Sequence, residues 1–137
     1  MTPSGMMFKQ RDIILIPIPF TDLASQKKRP AIVISSDKYN DTSEDIIVVA
    51  LTSNVKKQDF TIVITSEDLE DGKLKTTSMI RVDKIYTLNK SIVLKQFGRI
   101  KSSVLAKIKT TLLKLIEQAD QCLRNRCCVS TGCFLPE

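Results

Sequence analysis

The sequence contains no histidine and no tryptophan. Without histidine, acid and base work near neutral pH falls to carboxylates or rarer groups. The same absence removes the usual nitrogen ligand of zinc hydrolases. The four cysteines, Cys122, Cys127, Cys128 and Cys133, cluster near the C-terminus but form no C-x2-C pair, so they match zinc sites poorly. Reduced thiols on a tail are their default reading. Long apolar runs are also missing. The strongest near the start, Ile13-Ile14-Leu15-Ile16-Pro17-Ile18-Pro19-Phe20, falls far short of the ~20 residues that span a bilayer. Asp12 precedes it and no small-residue cleavage site follows, which argues against a signal peptide. The expectation is a cytoplasmic protein with no membrane segment, no metal and no cofactor.

What the chain does contain suits one globular domain. It has 137 residues, 42% of them hydrophobic and 26% charged, enough for a single core. We divide it into a flexible N-terminus (1–7), a folded domain (8–121) and a cysteine-containing tail (122–137), with Met6 or Met7 as alternative starts. The formal charge is +6. It is concentrated late: residues 84–137 carry ten Lys/Arg against three acidic residues, whereas 1–83 carry eleven against twelve. A basic half raises the expectation of a polyanionic partner, with a solvated Lys-rich helix face as the plainer alternative.

Strand patterns dominate the first hundred residues. Residues 11–18 are apolar on both faces, as in a strand buried on both sides. After a polar loop at 21–28, Pro30 biases Arg29 towards an extended backbone and 31–35 continues as a strand. Residues 37–45 read as a polar turn and 46–51 as a buried strand. Residues 60–65 form a further strand, and 67–72 an acidic turn whose four carboxylates lack the ligand spacing of a calcium loop. Residues 78–83 and 84–88 form one strand or a bent pair, and 91–100 is interrupted at Gly98. One helix follows. Val104, Ile108, Leu112, Leu115 and Ala119 recur at helical spacing with Leu105 and Ile116 beside them, and Ser102 or Ser103 is placed to cap its start. Five or six strands and one long amphipathic helix predict a mainly β fold, a compact barrel with the helix packed across it.

Two stretches carry the chemistry: Lys27-Lys28-Arg29-Pro30-Ala31-Ile32-Val33 and Thr76-Thr77-Ser78-Met79-Ile80-Arg81-Val82-Asp83. On a strand, Ile80 and Val82 turn one way and Arg81 and Asp83 the other, so a guanidinium and a carboxylate share one face. The cation keeps Asp83 ionised. The plainer reading is a surface ion pair worth ~0–1 kcal/mol. For Thr52 and Ser53 it is capping of a strand end, and for Arg29 a solvated charge beside Lys28.

Arg11-Asp12-Ile13-Ile14-Leu15, Arg29-Pro30-Ala31-Ile32-Val33, Leu51-Thr52-Ser53 and the stretch from Thr76 to Asp83 occur in the order and at the spacing of the MazF/PemK toxins, and residues 8–120 resemble that family. The resemblance implies an SH3-like barrel with a C-terminal helix and a homodimer. It also implies metal-independent cleavage of single-stranded RNA and inhibition by a cognate antitoxin, with operator DNA reached only through that antitoxin. By position it assigns Arg29, Arg81 and Asp83 to catalysis and Thr52 and Ser53 to RNA contact. Lys28 lies beside them, and Phe20 is the best-placed aromatic for base stacking among five Phe and two Tyr.

Two departures stand out. Arg11 occupies a position where relatives often have glycine, and Ser25, Gln26 and Lys27 stand where some carry histidine. Cleavage through the 2′-hydroxyl needs a base, charge stabilisation at phosphorus and a proton for the leaving oxygen. Asp83 is the candidate base. Arg81 and Arg29 suit the phosphorane better than an acid role, because guanidinium gives up its proton reluctantly. The rival readings are a gyrase-poisoning toxin on the same fold, and a silent relative that acts by partner binding.

Overall fold

The isoleucines at 13, 14 and 16 serve two cores at once. The computed structural model describes residues 7–18, 27–56 and 58–117. In it, strand β1 (Asp12–Ile18) sends Ile13 into one buried cluster and Ile14 and Ile16 into another on the opposite face. Alternation is silent in such a strand because neither face meets water. It lies between β2 (Lys27–Val33) and β7 (Lys95–Ile100) in a sheet of seven strands among the described residues. The others are β3 (Asp45–Thr52), β4 (Thr61–Ile64), β5 (Leu69–Asp71) and β6 (Ser78–Asn89). The order is β4-β6-β3-β2-β1-β7-β5 and every pairing is antiparallel.

The two edge strands curl towards one another. Ile64 of β4 and Leu69 of β5 belong to the same core, which is closed by Val104, Leu105 and Ile108 of α2 (Ser102–Ile116). The result is a half-barrel plugged by one helix, the mainly β, SH3-like architecture expected from the sequence. No helix among the described residues is long and apolar enough to cross a membrane.

Several local expectations are corrected. Residues 37–42 form a short helix, α1 (Asp37–Thr42), not a turn. The Ser36 hydroxyl caps it by accepting from the Tyr39 amide at 3.2 Å, and only Asn40 is buried, so no apolar period announced it. The acidic 67–72 segment is a single 3-10 turn running into β5. Gly98 lies within β7, and β2 begins at Lys27 rather than Ala31, with its ladder to β3 starting just after Pro30. Neither serine caps α2. Lys101 occupies that position without a side-chain bond, and the burial stripe fades after Ile108 until Ile116 is 70% exposed. Ala119 and all four cysteines lie outside the described residues.

Two register breaks shape the sheet. On β6, Val49 of β3 faces Ile85 while the next residue, Ala50, faces Arg81, so Val82, Asp83 and Lys84 bulge out of that ladder. An odd number of extra residues inverts the facing pattern. Ile80 and Val82 therefore enter the first core, whereas Tyr86 and Leu88 pack on the second. On β7 the ladder to β1 skips Phe97.

Arg11 adopts φ +83°, a conformation that costs a non-glycine residue about 1–3 kcal/mol. Arg11, at a position where the resemblance leads one to expect glycine, thus holds a glycine-like conformation at the cost of strain. Surrounding bonds hold the backbone there: its amide donates to the Val33 carbonyl at 2.8 Å and its carbonyl accepts from the Ile100 amide at 2.9 Å. The guanidinium reaches Glu70 at 2.6 Å and the Ile100 carbonyl at 3.0 Å. Arg11→Ala and Arg11→Gly lose the same side chain but differ in backbone freedom. Urea unfolding should show the glycine variant more stable than the alanine variant by about 1 kcal/mol.

Candidate active site

The β6 bulge sets the centre of the site. Arg81 precedes it and points away from the first core, so it shares the second face with Asp83. The two form a bidentate pair, Nε to Oδ1 at 3.0 Å and Nη2 to Oδ2 at 2.9 Å. Their side chains keep 25% and 32% of their accessible surface, so the pair is reachable from solvent. The Arg81 hydrogen bond holds the Asp83 carboxyl below the usual carboxylate range, and the same contact raises the already high value of Arg81.

Counting by twos along neighbouring strands brings the other candidates to that face. Ala31 and Val33 of β2 and Ile46 and Val48 of β3 belong to the second core. Arg29, Ala50 and Thr52 therefore point the same way. Two adjacent clefts, of about 400 and 530 Å3, meet at Arg29, Leu51, Thr52 and Ser53, which line both. The first also takes Lys28, Lys73 and Lys75, over a floor that includes Leu15, Leu74 and Phe97. The second takes Arg81, Lys56 and Lys84. Together the two linings carry seven cations and no carboxylate among the described residues. That composition suits an extended polyanion.

Residues 9–116 match the model of the PemK-like, MazF-like toxins of type II toxin–antitoxin systems. The chain belongs to this family. A search of curated proteins finds no match. Among solved structures, MazF from Deinococcus radiodurans is similar at a TM-score of 0.66 and 18% identity, covering 82% of this chain and 98% of that one. The MazE–MazF complex from the same organism is similar at 0.65 and 20% identity, covering 81% and 97%. A mycobacterial endoribonuclease in complex with its cognate antitoxin gives 0.64 and 18% identity, covering 78% and 92%. At these identities the structures attest the MazF-like fold; the family match makes this chain a toxin of that class.

The structure gathers most of the residues selected from the sequence of this MazF-like chain. Arg29, Thr52, Ser53 and Lys28 line the first cleft, and Arg81 the second. Asp83 is linked to the second cleft through Arg81. Thr52 shows the capping role as well, since its Oγ1 accepts from the Asn54 amide at 3.1 Å. Phe20 lies outside the described residues. Among the described residues, no three of His, Cys, Asp and Glu group as a metal site would require.

Sequence reasoning missed three things. Tyr86, half-buried beyond the bulge, lies within electrostatic reach of Arg81, Arg29 and Asp83, and burial pushes its hydroxyl above the usual value. The bulge inverts the alternation of β6 and turns Tyr86 to the second face. Phe97 enters the first cleft from the β7 bulge. Lastly, the charge asymmetry misdirected attention: among the described residues only Lys84 of the seven cleft cations comes from the basic half, and no lysine of α2 lines either cleft.

The ion pair gives a direct check. In Arg81→Ala the Asp83 carboxyl should rise towards its ordinary value of 3.8, read by carboxyl NMR titration. Because the pair is partly exposed, stability at pH 7 should fall by no more than about 1 kcal/mol. The sign follows from linkage: a depressed carboxyl stabilises the fold above pH 3.8 and loses that contribution as pH falls through the lower folded value.

Proposed function

We propose that this toxin is an endoribonuclease that cleaves single-stranded RNA through the substrate's own 2′-hydroxyl, without a metal ion. The observation that carries this reading is the Arg81–Asp83 pair on the face it shares with Arg29 and Thr52, where two basic clefts meet whose linings carry no carboxylate among the described residues. Family membership supports it, since MazF-like toxins are generally endoribonucleases.

In this mechanism Asp83 takes the 2′-proton as the 2′-oxygen attacks phosphorus. Arg81 and Arg29 neutralise the charge that develops on the non-bridging oxygens, a task for which planar, bidentate donors suit phosphate. Ser53 and the hydroxyl of Thr52 donate to a phosphate oxygen or a base edge. The bond to the 5′-oxygen breaks as that oxygen takes a proton from water on this solvent-reachable face. The products are a 2′,3′-cyclic phosphate and a 5′-hydroxyl. A carboxylate held below the usual range is a weak base, so the rate is modest. We also assign the protein a cognate antitoxin and a homodimeric state, both on family grounds.

Purified protein incubated with a long single-stranded RNA in excess EDTA should yield discrete fragments ending in cyclic phosphate. Intact RNA under those conditions would favour a binding toxin on the same fold. Asp83→Asn should lower cleavage by about 10²–10⁴-fold and leave the circular dichroism unchanged, whereas full activity would remove Asp83 as the base. Because the active form is the ionised carboxylate, its loss should shape the pH profile only below pH 3.8.

A further inference from the structure

The first cleft contains more than the catalytic reading uses. Arg29, Thr52 and Ser53 occupy its junction with the second cleft, but its far end is built by the segment between β5 and β6 and by the β7 bulge. Three features fix that end. Gly72 at φ +89° lets the chain pass against β7, where a Cβ would lie 2.6 Å from the Phe97 carbonyl oxygen. The Ser66 hydroxyl then clamps Leu74 twice, accepting from its amide at 2.9 Å and donating to its carbonyl at 3.1 Å. The Leu74 side chain packs on the first core. Lys73 and Lys75, on either side of this anchored residue, are exposed and line the cleft. The same lining includes the apolar Leu15, Pro30, Leu51, Leu74 and Phe97, and Phe97 is its one aromatic among the described residues.

We infer that this end of the cleft seats a nucleotide flanking the scissile phosphate: the base lies against Phe97 and Leu74, and the adjoining backbone phosphates meet Lys73 and Lys75. The inference rests on the ribonuclease reading for its ligand. An apolar, aromatic floor rimmed by point cations is what a single-stranded nucleic acid needs, since every base offers a face to stack and every linkage a charge. The lysines sit on a segment fixed before the ligand arrives, so little ordering entropy is lost on binding.

The test separates binding from cleavage. The probe is a short randomised 2′-O-methyl RNA carrying a fluorescent base analogue; it has no 2′-hydroxyl and cannot be cut. Titrated at several salt concentrations, the Lys73→Ala/Lys75→Ala protein should bind more weakly. Its slope of log K against log salt should be shallower by about 1.4, the value for two phosphate contacts on a single strand. Lys107→Ala/Lys109→Ala on α2 should leave the slope unchanged. Phe97→Leu keeps an apolar core residue but removes the ring, and should weaken binding about 5-fold or more and diminish the fluorescence change.

An unchanged slope in a folded double-lysine variant would overturn the inference, even if the wild-type protein cuts RNA. A shallower slope with no cleavage of ordinary RNA would support the subsite while sinking the nuclease reading. Equal losses from the α2 and cleft lysines would also overturn it, because they would reduce the effect to net charge.

Discussion

Three residues that fail to pair govern the rest of the molecule. If β6 kept register with β3 throughout, Asp83 would sit in an ordinary ladder position, and the strand would hold one facing pattern from end to end. The bulge at Val82, Asp83 and Lys84 instead divides β6 into two halves that feed different cores. The first half anchors Arg81 between Ile80 and Val82, both fully buried. The second returns the strand to the opposite core through Tyr86 and Leu88. The amide of Val82 is not orphaned by the break, since it donates to the Phe60 carbonyl at 3.1 Å. Strand-end geometry is thereby created in mid-strand, with packed apolar residues on both sides to hold a polar pair in place.

The same logic explains why polar residues tolerate the neighbourhood of a doubly covered sheet. Central strands β1, β2 and β3 bury both faces over their middles, and the cover ends where Arg29 and Thr52 emerge. Arg29 and Thr52 are therefore rooted in strands whose adjoining residues, Ala31–Val33 after the one and Val48–Leu51 before the other, are buried, while both line the clefts. Rigid roots limit how far a guanidinium can stray, which is what orientation at a reacting phosphate demands. Asp12 is the contrasting case. Also acidic and part of the Arg11–Leu15 run noted in the sequence, it is 1% exposed and accepts from the Lys9 amide at 2.8 Å and Arg99 at 3.1 Å, with Gln96 as a third donor. Burial pushes its carboxyl up, and its donors fasten the segment before β1 to β7. It ties the fold together, while Asp83 is held by Arg81, which lines the second cleft.

Much of this was legible in the chain, and the illegible parts share a cause. The apolar runs of β1 and β3, the helical period from Val104 to Ile108 and the Arg81/Asp83 alternation are local patterns, so they survive translation into structure. The missed elements are non-local. Tyr86 reaches the site face only because a bulge inverts the alternation of β6, and a bulge is a relation between two strands rather than a property of one. Lys56, Lys73 and Lys75 are separated from Arg29 by tens of residues and gather only through sheet order. Their charges were counted in the half of the sequence that looked neutral. The turns mistaken at 37–45 and 67–72 are short pieces with one buried residue each, too brief for any period to register.

In the proposed mechanism Asp83 is the base, yet the contact that holds it in place also weakens it in that role. Its charge is stabilised by two hydrogen bonds from Arg81, and a carboxylate so satisfied accepts a proton poorly. The two facts are compatible if the pair is a resting arrangement. A partly exposed ion pair is worth only about 0–1 kcal/mol, whereas charge-assisted bonds to a phosphate contribute about 1.5–3 kcal/mol. A phosphodiester entering the clefts therefore competes well for the Arg81 fork. As the guanidinium turns to the phosphate, Asp83 loses its donors and its basicity rises towards that of an ordinary carboxylate. Substrate charge would then both recruit the cation needed at phosphorus and release the base needed at the ribose, coupling the two halves of the chemistry through a single exchange of partners.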